Sequence, residues 1–143
     1  MLKIIIAIFS LACINGCTAQ PSTIDVTINN VTYTAEEAIT DAEKWTGLMH
    51  REKLGEYQAM MFFYEEEAPR AFWMKNTLIP LDIIYMDANY NIISIAKEAQ
   101  PCKTIKCQSY PSTGPAQYIL EINGGQSDLH NFQIGDHADI TSP

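Results

Sequence analysis

A tryptophan, a lysine and an amide lie close together in residues 71–76, where hydrophobic and polar side chains alternate. The alternation predicts a β-strand in which Trp73 and Lys75 point to the same face. An aromatic ring beside a cation, with Asn76 next to them, is a typical lining for a polar ligand such as a sugar or an anionic metabolite. We therefore expect these three residues in a ligand-binding site. The alternative is that Trp73 fills the core while Lys75 extends to solvent.

A second polar group lies on a later predicted strand, residues 117–123. Alternation along this strand puts Glu121 and Asn123 on one face, opposite the apolar residues between them. We expect both to line the same ligand site, near Lys75. A buried ion pair between Lys75 and Glu121 would explain the pattern equally well.

Asp82 follows a predicted turn at residues 78–80 and completes the expected ligand-binding set. Beside a turn, Asp82 and Asn76 could instead accept hydrogen bonds from nearby backbone, which is a structural role. An alternative function is a small carbohydrate-active or hydrolytic enzyme that uses Asp82 and Glu121 as paired carboxylates. The sequence leans against catalysis, because the three histidines lie in or near predicted turns without a serine or cysteine nucleophile signature beside them.

Methionine is the other residue type that could serve a site. Thioether sulfur together with the imidazole of His50 would suit copper in an exported protein. Methionine at strand spacing is more typical of a hydrophobic core. We therefore expect no metal and no cofactor. The methionines concerned are Met49, Met60, Met61, Met74 and Met86.

These candidate residues need a sheet to position them. Short apolar runs of strand length recur along the chain, separated by turn signals, and residues 65–69 are interpreted as one such turn. The fold class predicted is α+β, with a mainly antiparallel sheet curled into a partial β-barrel and short helices against it. The predicted strands cover 24–28, 31–33, 59–64, 71–76, 81–87, 91–96, 117–123 and 138–140, with a late helix at 127–132.

The segment 35–48 admits two interpretations. A helix could begin at the capping box of residues 34–37, with an apolar stripe that includes Trp45. It could also begin at a second capping box, residues 40–43. The preceding strand then continues to about Ala38, and only a short helix runs from Asp41 to Gly47.

The N-terminal residues are interpreted as an export signal. A cationic start at Lys3 precedes an apolar run that is too short to span a membrane. The run ends at Ile14, Asn15 and Gly16 before Cys17, which resembles the bacterial lipobox and implies that Cys17 is lipidated. Ordinary cleavage after Ala19 is the alternative. The expected organisation is a signal peptide at 1–16, a lipidated cysteine and tether at 17–23, and one domain at 24–141.

Charge and export together define the expected partners. A formal net charge of −8 disfavours nucleic acid and anionic headgroups. The anchor implies a membrane-attached protein outside the cytoplasm. Because Thr18 follows the cysteine where an Asp would resemble a retention signal, we expect the outer membrane, facing the periplasm, in a Gram-negative cell. We expect a monomer that binds a small polar ligand or an envelope component.

In an oxidising compartment, Cys102 and Cys107 are expected to form a disulfide.

Four motifs span the mature chain: Gly-Leu-Met-His-Arg at 47–51, Ala-Met-Met-Phe-Phe at 59–63, Phe-Trp-Met-Lys-Asn-Thr at 72–77 with Pro-Leu-Asp at 80–82, and Tyr-Ile-Leu-Glu-Ile-Asn-Gly-Gly at 118–125. Together they closely resemble the domain of unknown function 192 family over roughly residues 24–141. His50 and Ala59 depart from the family pattern. The resemblance implies the later of the two helix starts, and it implies no activity.

Overall fold

The computed structural model describes residues 21–142, and it contains seven strands and two short helices in that range. The predicted signal peptide and the lipidation site Cys17 lie outside the described residues. Within the described part, no helix is both long and apolar enough to cross a membrane. The elements are β1 (Thr23–Ile28), β2 (Val31–Ala38), α1 (Asp41–Thr46), β3 (Gln58–Trp73), β4 (Leu81–Met86), β5 (Ile92–Ala99), β6 (Ser109–Asn123), α2 (Gln126–Leu129) and β7 (Ala138–Thr141).

The seven strands form one sheet in the order β5-β4-β6-β3-β2-β1-β7, curled into a half-barrel. The α+β class is thus confirmed in outline. The sheet is mixed, however, since β2 and β3 run parallel while the other neighbouring strands are antiparallel. A parallel pair needs a long crossover connection, and the segment 39–57 with α1 supplies it.

The segment from β1 to α1 follows the later of the two predicted helix starts. Asn29 and Asn30 adopt positive φ values of 49° and 65°, the geometry of a two-residue hairpin turn. At α1, the side chain of Thr40 accepts from the backbone of Glu43, and the Glu43 side chain accepts from the backbone of Thr40. Gly47 ends the helix at φ +46°, where a residue with a side chain would be strained.

Two strands, β3 and β6, are much longer than the sequence predicted. The turn expected at 65–69 is wrong, because β3 continues through it as one strand of 16 residues. Register with β6 shifts between Phe63 and Ala68, so the three glutamates bulge outward without ending the strand. β6 begins well before residue 117. Its Pro111 and Pro115 lie where β6 pairs with β3 alone, so their missing N–H groups are tolerated.

Two hydrophobic cores cover the two faces of the sheet. Alternate residues of β4 belong to different cores: Ile84 and Met86 to the first, Ile83 and Tyr85 to the second. Every residue of β4 is buried, because a core covers each face of this strand. Its sequence therefore shows no alternation of apolar and polar residues. The candidate site lies on the face of the second core.

Candidate functional site

Glu121 is a carboxyl on the apolar face of the second core. It lies in the central strand β6, between Met60 of β3 and Ile83 of β4. Only 5% of the residue is exposed. The fold therefore places an ionisable group where neighbouring strands present hydrocarbon.

No described residue donates a hydrogen bond to the Glu121 carboxyl, and no described cation pairs with it. Burial alone raises its pKa to about 8, because loss of water disfavours the charged form. At neutral pH the carboxyl is mostly protonated. It can then donate a hydrogen bond, or it can ionise if a cation approaches.

A small cavity of about 30 Å³ reaches the Glu121 side chain. A cavity of that size holds about one water molecule. Thr77 also lines it. This residue is 5% exposed, and its hydroxyl has no hydrogen-bond partner among the described residues. The remaining lining is mainly apolar and aromatic: Trp45, Gly47, Leu48, Met49, Phe62, Phe72 and Trp73, with Lys44 and Thr46.

Gly47 keeps this cavity open. A Cβ at this position would lie 3.3 Å from Cζ of Phe62 and 3.9 Å from Oε2 of Glu121. The glycine that terminates α1 thus also leaves space above the carboxyl. Gly47 therefore both ends α1 and leaves room for the cavity.

A wider groove of about 230 Å³ adjoins the cavity on the outside. We call it the tryptophan groove; its lining is Lys44, Trp45, Tyr64, Ala71, Phe72 and Trp73. The two tryptophans meet edge to face with ring centroids 5.5 Å apart. They are 66% and 39% exposed. An accessible aromatic mouth therefore leads to a buried acid.

Three cations surround the groove, each against an aromatic ring. Nζ of Lys75 lies 5.1 Å from the Trp73 ring centroid. The Tyr64 ring has Nζ of Lys44 at 4.8 Å and the Arg70 guanidinium carbon at 3.8 Å. Such contacts contribute about 0.5–1 kcal/mol each at exposed sites. The groove thus has a basic rim, and the cavity that adjoins it holds a buried carboxyl group.

Of the predicted site residues, the structure brings together Trp73 and Glu121 on the cavity and puts Lys75 beside Trp73. Asn123 shares the face of Glu121 but does not line the cavity: its Nδ2 donates to the carbonyls of Leu54 and Gly55, 3.2 and 2.9 Å away. That side chain holds the loop before β3.

Asn76 sits in the turn that follows Trp73. It has φ +56°, which asparagine tolerates better than most residues. Its backbone N–H donates to the carbonyl of Cys102, and its carbonyl accepts from the N–H of His50. The backbone of Asn76 therefore joins three segments beside the site.

Cys102 and Cys107 form a disulfide in the structure, with Cα atoms 5.7 Å apart. The N–H of Cys102 donates to the carbonyl of Met74, and its carbonyl accepts from Asn76. The disulfide loop thus braces the turn that follows Trp73.

Asp82 does not share the cavity with Glu121. It pairs with Ile122 across the sheet, so its side chain points to the opposite face. Its oxygens accept from the backbone N–H groups of Glu98, Gly125 and Ser127 and from the Ser127 hydroxyl. These bonds cap α2, which lacks a side-chain cap of its own. The enzyme alternative requires Asp82 and Glu121 in one cleft. The structure places them on opposite faces of the sheet.

Sequence reasoning did not place Trp45, Gly47 or Thr77 in the candidate site. Trp45 fitted an apolar helical stripe, yet α1 buries no residue, because it lies across the edge of the groove. A usable signal was available: the chain has two tryptophans, and Trp45 lies near the end of the short predicted helix from Asp41 to Gly47. Thr77 belongs to the same motif as Trp73 and is buried, unlike a typical turn residue.

The methionine hypothesis for copper fails on placement. Met61 and Met86 lie in the first core, whereas Met60 and Met74 lie in the second. In residues 21–142, no group of three or more His, Cys, Asp or Glu side chains could hold a metal ion. These four methionines are core residues, and Met49 lines the small cavity beside Glu121.

Comparisons with known proteins give a family and no activity. No curated protein matches the chain. A solved protein of unknown function from Novosphingobium aromaticivorans is 34% identical, with a TM-score of 0.72 over 82% of this chain and 83% of its own. A second, from Sinorhizobium meliloti and described only provisionally as a transcription regulator, is 26% identical, with a TM-score of 0.75 over 85% of this chain and 94% of its own. The model of the family DUF192, described as an uncharacterized ACR, matches residues 24–140. The chain therefore belongs to the domain of unknown function 192 family.

Proposed function

We propose that this protein is a binding module of the cell envelope, anchored by a lipid on Cys17, whose tryptophan groove takes a small polar ligand that reaches Glu121. The observation that carries the proposal is the buried Glu121 carboxyl, which faces a cavity and has no partner among the described residues. No second function has a comparable observation in its favour.

The contrast with Asp82 supports a ligand role for Glu121. Asp82 is also buried, and four donors satisfy it, as expected of a structural carboxylate. The Glu121 oxygens border the cavity and are not sealed from solvent, since no fully buried side-chain oxygen or nitrogen of the described residues lacks a partner. A ligand that hydrogen-bonds to Glu121 would take the place of solvent there.

The size and lining of the groove favour a small ligand. Its volume of about 230 Å³ is below the range of roughly 300–1,000 Å³ that drug-sized ligands occupy. Trp45 and Trp73 present flat apolar surfaces, which pack against the hydrocarbon face of a sugar or of an amino-acid-sized molecule. The lysines at the rim suit a polar or anionic outer end.

The proposed anchor would hold the groove close to a membrane. β1 begins at Thr23, so the chain between Cys17 and the sheet can extend roughly 20 Å. More than one acyl chain is needed for stable attachment, since a single chain gives only marginal binding. In a Gram-negative cell we propose the periplasmic face of the outer membrane and a monomeric domain.

A thermal-shift screen tests the binding proposal. The chain from residue 18 onward is suitable, because all seven strands and both cores lie within residues 21–142. Sugars, amino acids, amines and cell-envelope fragments are screened against wild type, Trp45→Ala and Leu129→Ala. Leu129 is an exposed apolar residue outside the groove and serves as the matched control.

A true ligand raises the unfolding free energy by about 2.7 kcal/mol at one hundred times its Kd. We expect that stabilisation in wild type and Leu129→Ala, and its loss in Trp45→Ala. The proposal fails if no compound stabilises the wild type. It also fails if stabilisation persists in Trp45→Ala and in Glu121→Gln, a fourth protein screened with the compounds that stabilise wild type, because the ligand would then bind elsewhere.

A further inference from the structure

We infer that the ligand of the tryptophan groove is a primary amine whose ammonium group enters the cavity and pairs with Glu121. This inference rests on the proposed binding function and names its chemical class.

Cavity size selects the group that enters. The space of about 30 Å³ admits one group of the size of water, which an ammonium matches. The planar guanidinium fork of an arginine-like ligand carries five N–H donors on three nitrogens and is too large for it. Only the end of a ligand can therefore reach Glu121, and the rest of the molecule must lie in the outer groove.

The polar groups of the cavity favour a donor with several protons. Glu121 offers carboxylate oxygens and Thr77 offers a hydroxyl oxygen, and neither has a partner among the described residues. An ammonium carries three donors, whereas a hydroxyl carries one. A single ammonium can satisfy both residues at once.

The charge of ionised Glu121 and the aromatic lining of the cavity also favour an ammonium group. Attraction between opposite charges is strengthened where water is excluded, as it is around a residue that is 5% exposed. Phe62, Phe72 and Trp73 line the same cavity, and aromatic faces attract cations. The cavity thus provides both features by which proteins recognise ammonium groups.

The two lysines beside the groove, Lys44 and Lys75, leave this place empty. Nζ of Lys44 lies against the Tyr64 ring, and Nζ of Lys75 lies against the Trp73 ring. Neither forms an ion pair with Glu121. Both remain at the rim, where they can contact a polar or anionic outer end of an amine ligand.

Amine binding should depend on pH. The ionisable groups that face Glu121 are Lys44 from α1, Tyr64 from β3 and Tyr85 from β4. Burial raises the pKa of both tyrosines, so they stay neutral near pH 7. A primary ammonium stays charged up to about pH 10. Pairing therefore requires Glu121 to lose its proton, and affinity should rise about tenfold per pH unit below the pKa of that carboxyl.

The test is a titration with methylammonium, with methanol as the neutral probe of equal size. The two indole N–H signals in NMR spectra report the groove directly, because the chain has two tryptophans and both line it. A ligand of two heavy atoms binds with a Kd of roughly 10 mM at best, so titrations extend to high concentration at constant ionic strength. They are run at pH 6 and pH 8 on wild type, Glu121→Gln and Thr77→Val.

We expect methylammonium to shift both indole signals at pH 8, with affinity at least tenfold weaker at pH 6. Glu121→Gln should lose the response, and Thr77→Val should weaken it several-fold. Dispersed spectra of both variants show that each remains folded. If methanol shifts the signals equally and independently of pH, the site takes hydroxyl groups; the amine inference is then overturned while the binding function stands. If neither probe shifts the signals, the amine inference is overturned, and the thermal-shift screen decides on the binding function.

Discussion

Asp82 and Glu121 occupy neighbouring strands but point to opposite faces of the sheet, because Asp82 pairs with Ile122 while Glu121 pairs with Ile83. One carboxyl is surrounded by donors, and the other faces a cavity without them. Their mutation should therefore have opposite effects on stability.

Asp82→Ala should destabilise the protein by about 3 kcal/mol or more, since a buried donor that loses a charged acceptor costs about 1–3 kcal/mol. Three backbone N–H groups and the Ser127 hydroxyl lose their acceptor, and α2 loses its cap. Urea unfolding measures the change. Asp139→Ala is the control, because its side chain is 78% exposed and should change stability by less than about 0.5 kcal/mol. Equal effects of the two substitutions would contradict the structural role of Asp82.

Reduction of the Cys102–Cys107 disulfide should cost about 2 kcal/mol, the chain-entropy value for a loop of this length. Because the loop braces the turn after Trp73, the indole signal of Trp73 should shift on reduction more than that of Trp45. Unfolding with and without reductant measures the stability change, and Cys102→Ser with Cys107→Ser controls for reagent effects. Two thiols titrating in the unreduced denatured protein would show that the disulfide does not form.

Much of the fold followed from local sequence signals. The Asn29-Asn30 turn, the Thr40 capping box and the face shared by Glu121 and Asn123 were predictable because each depends on residues near in sequence. The continuous β3 was not predictable from charge pattern, because pairing with a distant strand carries the chain through the glutamate bulge.

The candidate site was only partly predictable for the same reason. Trp73 and Glu121 come from strands that adjoin only in the folded sheet. Asp82 looked equivalent to Glu121 because period-2 alternation gives the face of a residue within its own strand but not its register against another. Trp45 was hidden because an amphipathic pattern does not show whether the apolar face meets a core or a ligand groove.

Lys75→Met should change stability by no more than about 0.5 kcal/mol, because it keeps the hydrocarbon stem and removes a charge that contacts the exposed Trp73 ring. The Trp73 fluorescence should change, since its environment loses a cation. Urea unfolding and emission spectra measure the two effects, with Lys97→Met as the control, because Lys97 lies on β5 and lines neither the cavity nor the groove. A loss above about 2 kcal/mol would mean that Lys75 has a buried structural partner after all.

Cys17→Ser should release the protein from membranes while leaving the domain folded. The expected anchor is the lipid on this cysteine, and the sheet begins beyond it at Thr23. Cell fractionation measures the distribution, and Cys13→Ser, within the expected signal peptide, is the matched control. Retention of the Cys17→Ser protein in the membrane pellet would show that the anchor lies elsewhere.

The central claim is that Glu121 is a buried carboxyl without a hydrogen-bond or ion-pair partner in residues 21–142, and the pH dependence of unfolding tests it most directly. Burial raises its pKa from 4.5 to about 8 in the folded state. Between those values Glu121 is protonated more often in the folded protein than in the unfolded chain. Its contribution to the free energy of unfolding therefore falls as pH rises, by at most about 1.4 kcal/mol per pH unit.

The measurement is the free energy of urea unfolding from pH 5 to pH 9 for wild type and Glu121→Gln, which keeps the shape and cannot ionise. The account predicts that the variant gains stability relative to wild type as pH rises from 5 to 8, and that the difference levels off above pH 8. A difference that stays constant over this range would show that Glu121 titrates alike in the folded and unfolded states, and would contradict the account.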